Sequence, residues 1–200
     1  MVMVASAMES QMYATMLGNG LAGTSGPDFA GACADGCING TIGAPFATTD
    51  TGTIPGTGAG TGVGVTGVVD AVLSAALTAG MLAKFGSIGT STPIINDALA
   101  QAYVAQLAVA TLTSTHAPVF VGSGIVNVGS IVVAAAVIES TILAAGISAG
   151  FLGTSWPDIA STVGTEIANA LLLGTGSVTI AGAGTPPTSP GVGVGSGTLS

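Results

Sequence analysis

The sequence predicts a mainly α-helical protein with short β-strands or extended arms, built from three tandem repeats of helix, corner, helix and glycine-rich tail. Three observations indicate this class. A Gly-Thr-Ser motif occurs three times in one register, an apolar column follows each motif, and a glycine-rich stretch follows each column. The predicted units are residues 1–67, 68–130 and 131–200.

The motif is clearest in the first and third units. Residues 23–30 read GTSGPDFA and residues 153–160 read GTSWPDIA, so six of eight positions are identical at an offset of 130. A third copy, GTSTP at residues 89–93, lies 66 positions after the first. Because glycine and threonine are frequent in this chain, the motif alone could recur by chance. The repeat is supported because the apolar column and the glycine-rich tail recur in the same register as the motif.

Each motif is predicted to form a corner where one helix ends and the next begins. A serine at the N-cap accepts a hydrogen bond from a free backbone N–H, and a proline in the first turn loses no hydrogen bond. An acid three residues after the serine resembles a capping box. The predicted corner residues are Ser25, Pro27, Asp28, Ser91, Pro93, Ser155, Pro157 and Asp158. An anion-binding loop is the alternative, but it needs a nearby Lys or Arg, and none is present.

The glycines of the three motifs, Gly23, Gly89 and Gly153, are expected to end the preceding helices in left-handed turns. The helices are predicted at 5–18 and 26–40 in the first unit, 68–85 and 93–112 in the second, and 131–150 and 156–173 in the third. The second helix of the first unit carries three glycines and is therefore the segment least expected to be helical throughout.

The second helix of each unit has an apolar stripe that steps by four residues, as one face of a helix does. The aligned positions are Phe29, Ile95 and Ile159; Cys33, Leu99 and Val163; Cys37, Tyr103 and Ile167; and Thr41, Leu107 and Leu171. These columns are expected to be buried.

The tails, near residues 43–67, 117–130 and 175–200, contain short alternating segments such as Val-Thr-Ile and Gly-Val-Gly-Val. Such segments pair as short strands or pack as extended arms. Pro186, Pro187 and Pro190 interrupt the last tail, which is therefore expected to be an edge strand or coil.

Charged residues make up only 5% of the chain, and Lys84 is its sole basic side chain beside nine acids. A soluble monomer uses charged groups to keep its surface from associating. The surface is therefore expected to be covered by Gly, Ser, Thr and Ala, by other protein chains or by lipid, and the small apolar residues favour burial between subunits. The net charge of −8 argues against nucleic acid, because binding a phosphate backbone requires several cations.

An uncharged run of 20 residues, 119–138, has the length of a membrane span. The repeat register divides it between a tail and a helix, and no basic residues flank it to set an orientation. A membrane-spanning protein is therefore the less favoured interpretation.

Few residues have the chemistry of an active site. Cys33 and Cys37 share a helix face, which suggests a metal pair or redox site, but they lie in columns otherwise filled by apolar residues or Tyr. His116 is the only histidine and has no nucleophile motif beside it. The sequence therefore predicts no enzyme, no catalytic residue, no metal, no cofactor and no small-molecule substrate.

Three acids lie in the apolar first helices, at Glu9, Asp70 and Glu139. An acid in such a helix is costly unless it is paired, capped or exposed to solvent. One interpretation is a single solvent-facing position per helix; the other is a ring that lines a pore or contacts another subunit. Trp156, which replaces Gly26 and Thr92 of the other units, is expected to fill a contact at its corner.

The third unit, with GTSWPDIASTVGTEIANALLLGTG and a tail that ends in GVGVGSGTLS, resembles small Ala- and Gly-rich structural proteins of tailed-phage virions. Those proteins have a helical part followed by a Gly/Thr tail. The resemblance implies a virion or phage-tail-like structural protein and no catalytic residues. Three units in one chain depart from the single-unit pattern of that family, which leaves the position in the particle open.

Two functions follow as expectations. The first is a structural subunit of a symmetric assembly, in a bacteriophage head, neck or tail or in a phage-tail-like particle, whose partners are copies of itself and other structural proteins. It would be assembled in the host cytoplasm and reside in the virion or an extracellular particle. The second is a membrane-embedded oligomer or pore.

Overall fold

A computed structural model describes residues 4–21, 23–54, 58–86, 89–116, 122–150, 153–172, 176–183 and 189–199. This part of the chain is mainly helical with antiparallel strands, which confirms the predicted class at that level. The order helix, helix, strand, strand occurs three times. The helices are α1 (Ala5–Gly18), α2 (Gly26–Thr41), α3 (Asp70–Phe85), α4 (Thr92–Val109), α5 (Ala135–Ser148) and α6 (Trp156–Leu172).

The strands form one closed antiparallel barrel in chain order, and the last strand pairs with the first. They are β1 (Pro45–Ile54), β2 (Gly58–Val63), β3 (Thr111–His116), β4 (Gly122–Val132), β5 (Gly176–Ala183) and β6 (Ser189–Leu199). The closing pair is in register from Pro45 opposite Thr198 to Ile54 opposite Ser189. A β-bulge between Thr113 and Ser114 shifts the register of β3 against β4.

The helices form a closed ring, because each contacts the next in the chain and α6 contacts α1. α2, α4 and α6 each lead into a strand of the barrel, so one end of the ring is its barrel end. At the opposite end, here called the corner end, α1 meets α2, α3 meets α4 and α5 meets α6. The second helix of each pair (α2, α4 or α6) buries more residues than the first (α1, α3 or α5).

The predicted apolar columns form the core. Nine of their twelve members are buried: Cys33, Leu99, Val163, Cys37, Tyr103, Ile167, Thr41, Leu107 and Leu171. The first helices contribute a matching set with the same step of four residues: Met8, Met12 and Met16; Leu73, Leu77 and Met81; and Ile138, Ile142 and Gly146. Phe29, Ile95 and Ile159 are only half-buried, because they lie at the corner end of the ring.

The second helix of the first unit is helical throughout, against expectation. Its glycines allow α3 to pack closely: a Cβ at Gly36 would come within 2.5 Å of Leu77 Cδ2, and one at Gly40 within 3.0 Å of Leu73 Cδ1. The helix is therefore stabilised by packing that offsets the low helical propensity of glycine.

Two helix boundaries differ from prediction by more than two residues. α4 ends at Val109 rather than 112, because the alternating Thr-Leu-Thr-Ser-Thr segment begins β3 at Thr111. α5 begins at Ala135 rather than 131, because β4 continues to Val132. The predicted unit boundary at 130/131 therefore falls inside β4, whereas the boundary at 67/68 falls between β2 and α3.

The last tail is paired, which corrects the expectation of an edge strand or coil. Pro190 lies near the start of β6 opposite Thr53, beyond the part of β6 that pairs with β5. A proline is tolerated there because its missing N–H costs at most one ladder hydrogen bond at the strand end. Pro186 and Pro187 lie outside the described residues.

The uncharged run at 119–138 does not form one helix in the described part of the chain, because it is divided between β4 and α5. Among the described residues, no helix has both the length and the apolar character needed to cross a membrane.

Candidate functional site

The three corners have the same backbone geometry. The carbonyl of the motif glycine accepts a hydrogen bond from the first residue of the following helix, at 3.1 Å in each of the pairs Gly26–Gly23, Thr92–Gly89 and Trp156–Gly153. The motif serine carbonyl then accepts from the N–H four residues later, at 3.0–3.2 Å. Pro27 and Pro93 occupy the first turn, as predicted. Every corner is therefore built by backbone groups at the predicted place.

The predicted serine caps are wrong in detail. The side chains of Ser25 and Ser91 make no capping hydrogen bond, and Ser91 Oγ instead donates to the carbonyl of Ala149 at 3.4 Å. Because both serines have α-helical backbone angles, their hydroxyl groups are not placed as an N-cap requires. The sequence identified where the helices begin but not which group satisfies their first N–H.

The left-handed glycines lie three residues before the motif. Gly20, Gly86 and Gly150 have φ angles of 76°, 71° and 88°, whereas Gly23, Gly89 and Gly153 are not left-handed. Each left-handed glycine follows the end of a first helix, where an L-amino acid other than glycine would be strained.

At the corner end, the helices line an open, mainly apolar pocket of about 510 Å³, here called the corner cavity. Its wall includes Met16, Phe29, Met81, Ile95, Trp156 and Ile159, which come from all three predicted units. None of the described residues that line it is charged. Three predicted corner positions, Gly26, Thr92 and Trp156, meet at this wall.

Side-chain volume is distributed differently around this cavity in the three units. The first has Met16 with Gly26, the second has Met81 with Thr92, and the third has Gly146 with Trp156. The Trp156 indole lies directly on Gly146 and donates from Nε1 to the Leu143 carbonyl at 3.1 Å. The predicted Trp156 contact therefore exists within one unit, and the small residues at 26 and 92 leave the cavity open.

A polar side chain lies in the apolar wall of the corner cavity. Asn96 is fully buried, donates from Nδ2 to Thr78 Oγ1 at 3.0 Å and approaches Met81 Sδ at 3.7 Å. Within the part of the chain that the structure describes, its Oδ1 has no hydrogen-bond donor. Ala30 and Ala160, which occupy the aligned positions of the other predicted units, are both fully buried. Sequence analysis missed Asn96, although an amide among alanines in an aligned column is a readable signal.

The three predicted acids are not equivalent in place. Glu9 and Glu139 are half-buried and follow the buried residues Met8 and Ile138. The matching residue after Leu73 is Ser74, which donates to Asp97. Asp70 is exposed at the start of α3, where it accepts from the Ala71 N–H at 2.8 Å. Asp70 therefore does not occupy the helix position that corresponds to Glu9 and Glu139, because Ser74 occupies it in α3.

Glu9 has a basic neighbour. A Cβ at Gly31 would lie 2.7 Å from Lys84 Nζ and 3.1 Å from Glu9 Oε1, so both charged groups lie over the same glycine of α2. The sole basic side chain of the protein thus sits near an acid where α1, α2 and α3 meet.

The cysteines are free and buried. Burial raises the pKa of the Cys33 thiol to about 12. Burial, together with the nearby Cys33, raises the pKa of Cys37 well above its ordinary value of 9.0. Both groups are therefore protonated and unreactive at neutral pH, because the thiolate is the nucleophile and metal ligand. Among the described residues, no group of three or more His, Cys, Asp and Glu side chains is placed to hold a metal ion.

A second buried polar group adjoins the cysteines. Tyr103 OH and Thr41 Oγ1 share a hydrogen bond of 2.5 Å, and Thr41 also donates to the Cys37 carbonyl at 2.7 Å. Burial, and to a lesser extent Cys37, raises the pKa of the Tyr103 phenol. His116 lies elsewhere, as the last residue of β3 opposite Gly58.

Comparisons with protein-family models, with curated proteins and with solved structures found no match to this chain.

Proposed function

We propose that this protein is a structural subunit of a symmetric assembly, a bacteriophage virion or phage-tail-like particle, in which it acts by packing against copies of itself and other structural proteins. The observation that supports this most is the surface of the helical ring. Its helices expose large apolar side chains, among them Val72 at 68%, Val109 at 62% and Ile147 at 52%.

Single exposed apolar residues are normal in proteins, but here few charges accompany them. The whole chain has ten charged side chains, and one of its acids, Glu166, is buried. A surface of this kind is prone to association in water, and a particle in which neighbours cover it is stable.

The chain consists, in this proposal, of three diverged copies of one unit. The corner hydrogen bonds, the left-handed glycines and the buried columns recur at corresponding positions in each third of the chain. A chain that carries three copies can present three related surfaces around one ring, which suits attachment to a symmetric particle.

A charge on the ring surface tests the proposal. Val72→Lys places an ammonium group at the most exposed of the large apolar residues on α3 and should reduce self-association severalfold, because charges are depleted from interface cores. Sedimentation velocity across a concentration series measures the change. Gln101→Lys, at an exposed polar position of α4, is the matched control and should have little effect.

Wild-type protein that remains monomeric at all concentrations, including near its isoelectric point of about 4.1, contradicts the proposal. Electron microscopy of native particles, with the chain identified in them by mass spectrometry, tests the virion assignment directly. Extraction only in detergent would instead support the membrane-embedded alternative.

A further inference from the structure

The corner cavity has the size and the chemistry of a ligand site. Its volume of about 510 Å³ lies within the range of roughly 300–1,000 Å³ that is typical of small-molecule pockets. Its described wall is apolar and uncharged, with Phe29, Ile95 and Ile159 contributed by the three second helices. A charged ligand would lose its hydration there without a partner, so the cavity suits an uncharged apolar molecule.

Asn96 adds one polar requirement. It is the residue in this wall whose acceptor, Oδ1, is buried without a donor, and a buried acceptor of this kind is costly. The alanines at 30 and 160 show that the fold accommodates an apolar residue at this position. The amide therefore introduces an unmet hydrogen bond that the packing of the helices does not require.

Met81 contacts Asn96 at the wall of the corner cavity. Its Sδ is 3.7 Å from Asn96 Nδ2, and its side chain also lines the corner cavity. Methionine is flexible and adapts to the shape of its neighbours. Met81 therefore lines the same part of the cavity as the amide of Asn96.

We propose that the corner cavity binds an uncharged, mainly apolar molecule with one hydroxyl group, which donates its hydrogen bond to Asn96 Oδ1. The ligand class is that of medium-chain alcohols. This inference does not depend on the assembly function, and the ligand is bound rather than transformed. Two observations carry it independently: the size and apolar wall of the cavity, and the unmet acceptor in that wall.

The sole tryptophan provides the measurement, because Trp156 lines the cavity. Bromohexanol and bromohexane differ only in the hydroxyl group, and bromine quenches indole fluorescence on contact. Titration of the full chain with bromohexanol should quench Trp156 saturably. Asn96→Ala should weaken bromohexanol binding about tenfold, as the loss of one buried hydrogen bond predicts, and leave bromohexane binding unchanged.

Two further variants complete the test. Asn169→Ala removes another amide that donates within α6 and should leave the affinities for both probes unchanged. Ile95→Phe narrows the cavity and should weaken both probes. An absence of saturable quenching overturns the proposal. So does an equal affinity ratio of the two probes in wild type and Asn96→Ala, because the hydroxyl group of the probe would then make no hydrogen bond to Asn96.

Discussion

At the scale of single residues, two thiols and one phenol are buried in the helical ring and stay protonated at neutral pH. Cys33, Cys37 and Tyr103 are buried, and burial is the main reason that each pKa is raised. These groups do not change stability with pH as long as the folded and the unfolded chain both keep the protons. Above pH 9 the unfolded chain loses thiol protons that the native chain retains, so stability falls as pH rises.

The pH dependence gives a prediction. Between pH 9 and about 12, which is the folded pKa of Cys33, each buried thiol should lower the free energy of unfolding by about 1.4 kcal/mol per pH unit. Cys33→Ala should remove one thiol's share of this slope. Urea unfolding under reducing conditions at a series of pH values measures it.

Met12→Ala is the control for the thiol prediction. Met12 is fully buried in α1 and has no ionisable group, so its truncation should lower stability by about 2–5 kcal/mol at every pH and leave the slope intact. A slope that is unchanged in Cys33→Ala would contradict the assignment of the pH dependence to this thiol.

The contact of Trp156 with Gly146 gives a second residue-scale prediction. A Cβ at position 146 would overlap the indole ring, so Gly146→Ala should destabilise the protein by about 1–3 kcal/mol despite the better helical propensity of alanine. Thermal and denaturant unfolding measure the loss. In the background of Trp156→Thr, the residue of the second unit, the same substitution should be neutral or stabilising.

Gly18→Ala is the matched control. Gly18 ends α1 and has no atom within 4 Å of an added Cβ, so alanine there should be neutral or stabilise by up to about 1 kcal/mol. If both glycine substitutions had the same effect, the indole would not be the cause of the loss at position 146.

Residue-scale prediction from sequence succeeded where the cause was local. The prolines that follow Ser25 and Ser91 mark helix starts in any context, because their rings suit the first turn. The failure of the serine caps has a local cause as well, since the backbone of both serines is already helical. The amide at position 96 is readable in its aligned column, but its unpaired acceptor depends on the neighbours that α3 provides. The role of Gly146 likewise depends on its contact with Trp156 of α6.

At the scale of elements, the ring closes through a polar seam between α1 and α6. Thr15 Oγ1 donates to Glu166 Oε1 at 2.7 Å, and Asn19 Nδ2 donates to Thr162 Oγ1 at 3.2 Å. Glu166 is nearly fully buried, so its carboxylate depends for hydrogen bonds on Thr15 and on Asn169, whose Nδ2 donates to Oε2 at 3.4 Å. The seam joins residues that are 151 positions apart in the chain.

A double-mutant cycle tests the seam. Thr15→Val and Glu166→Gln should show a coupling energy of about 1.5 kcal/mol, because a hydrogen bond to a charged group contributes about 1.5–3 kcal/mol when it is buried. The neutral pair Asn19–Thr162, probed with alanine and valine, is the comparison and should couple by about 0.5–1 kcal/mol. A Thr15–Glu166 coupling no larger than that of the neutral pair would contradict the importance of the carboxylate.

The helices were predicted closely because their signals lie within each segment. The predicted span 5–18 is the observed α1, and 156–173 differs from α6 by one residue. The tails were left open between strands and arms, because Gly-Val alternation suits both and only the partner strand decides. The bulge at Thr113 and Ser114 likewise depends on β4 and has no signal in β3 alone.

At the scale of the whole molecule, the sequence did not predict that the ring of helices and the barrel of strands are each closed. The ring and the barrel each close by contacts between the first and the last unit, through α1 with α6 and β1 with β6. Closure depends on the summed twist and tilt of all strands, which no single segment encodes. The composition nevertheless indicated a surface poor in charge, and the exposed apolar residues of the helices agree with it.

The pairing of β1 with β6 has a consequence for how the chain folds. β1 is made early, yet its partner along its whole length is the last described strand. Pairings between such distant segments slow folding, because the loop-closure entropy is paid before the contacts form. During synthesis β1 therefore waits with one side unpaired, as a template for strands of other chains. Until β6 pairs with β1, this free edge is exposed to strand exchange with other chains, so slow closure of the barrel favours aggregation.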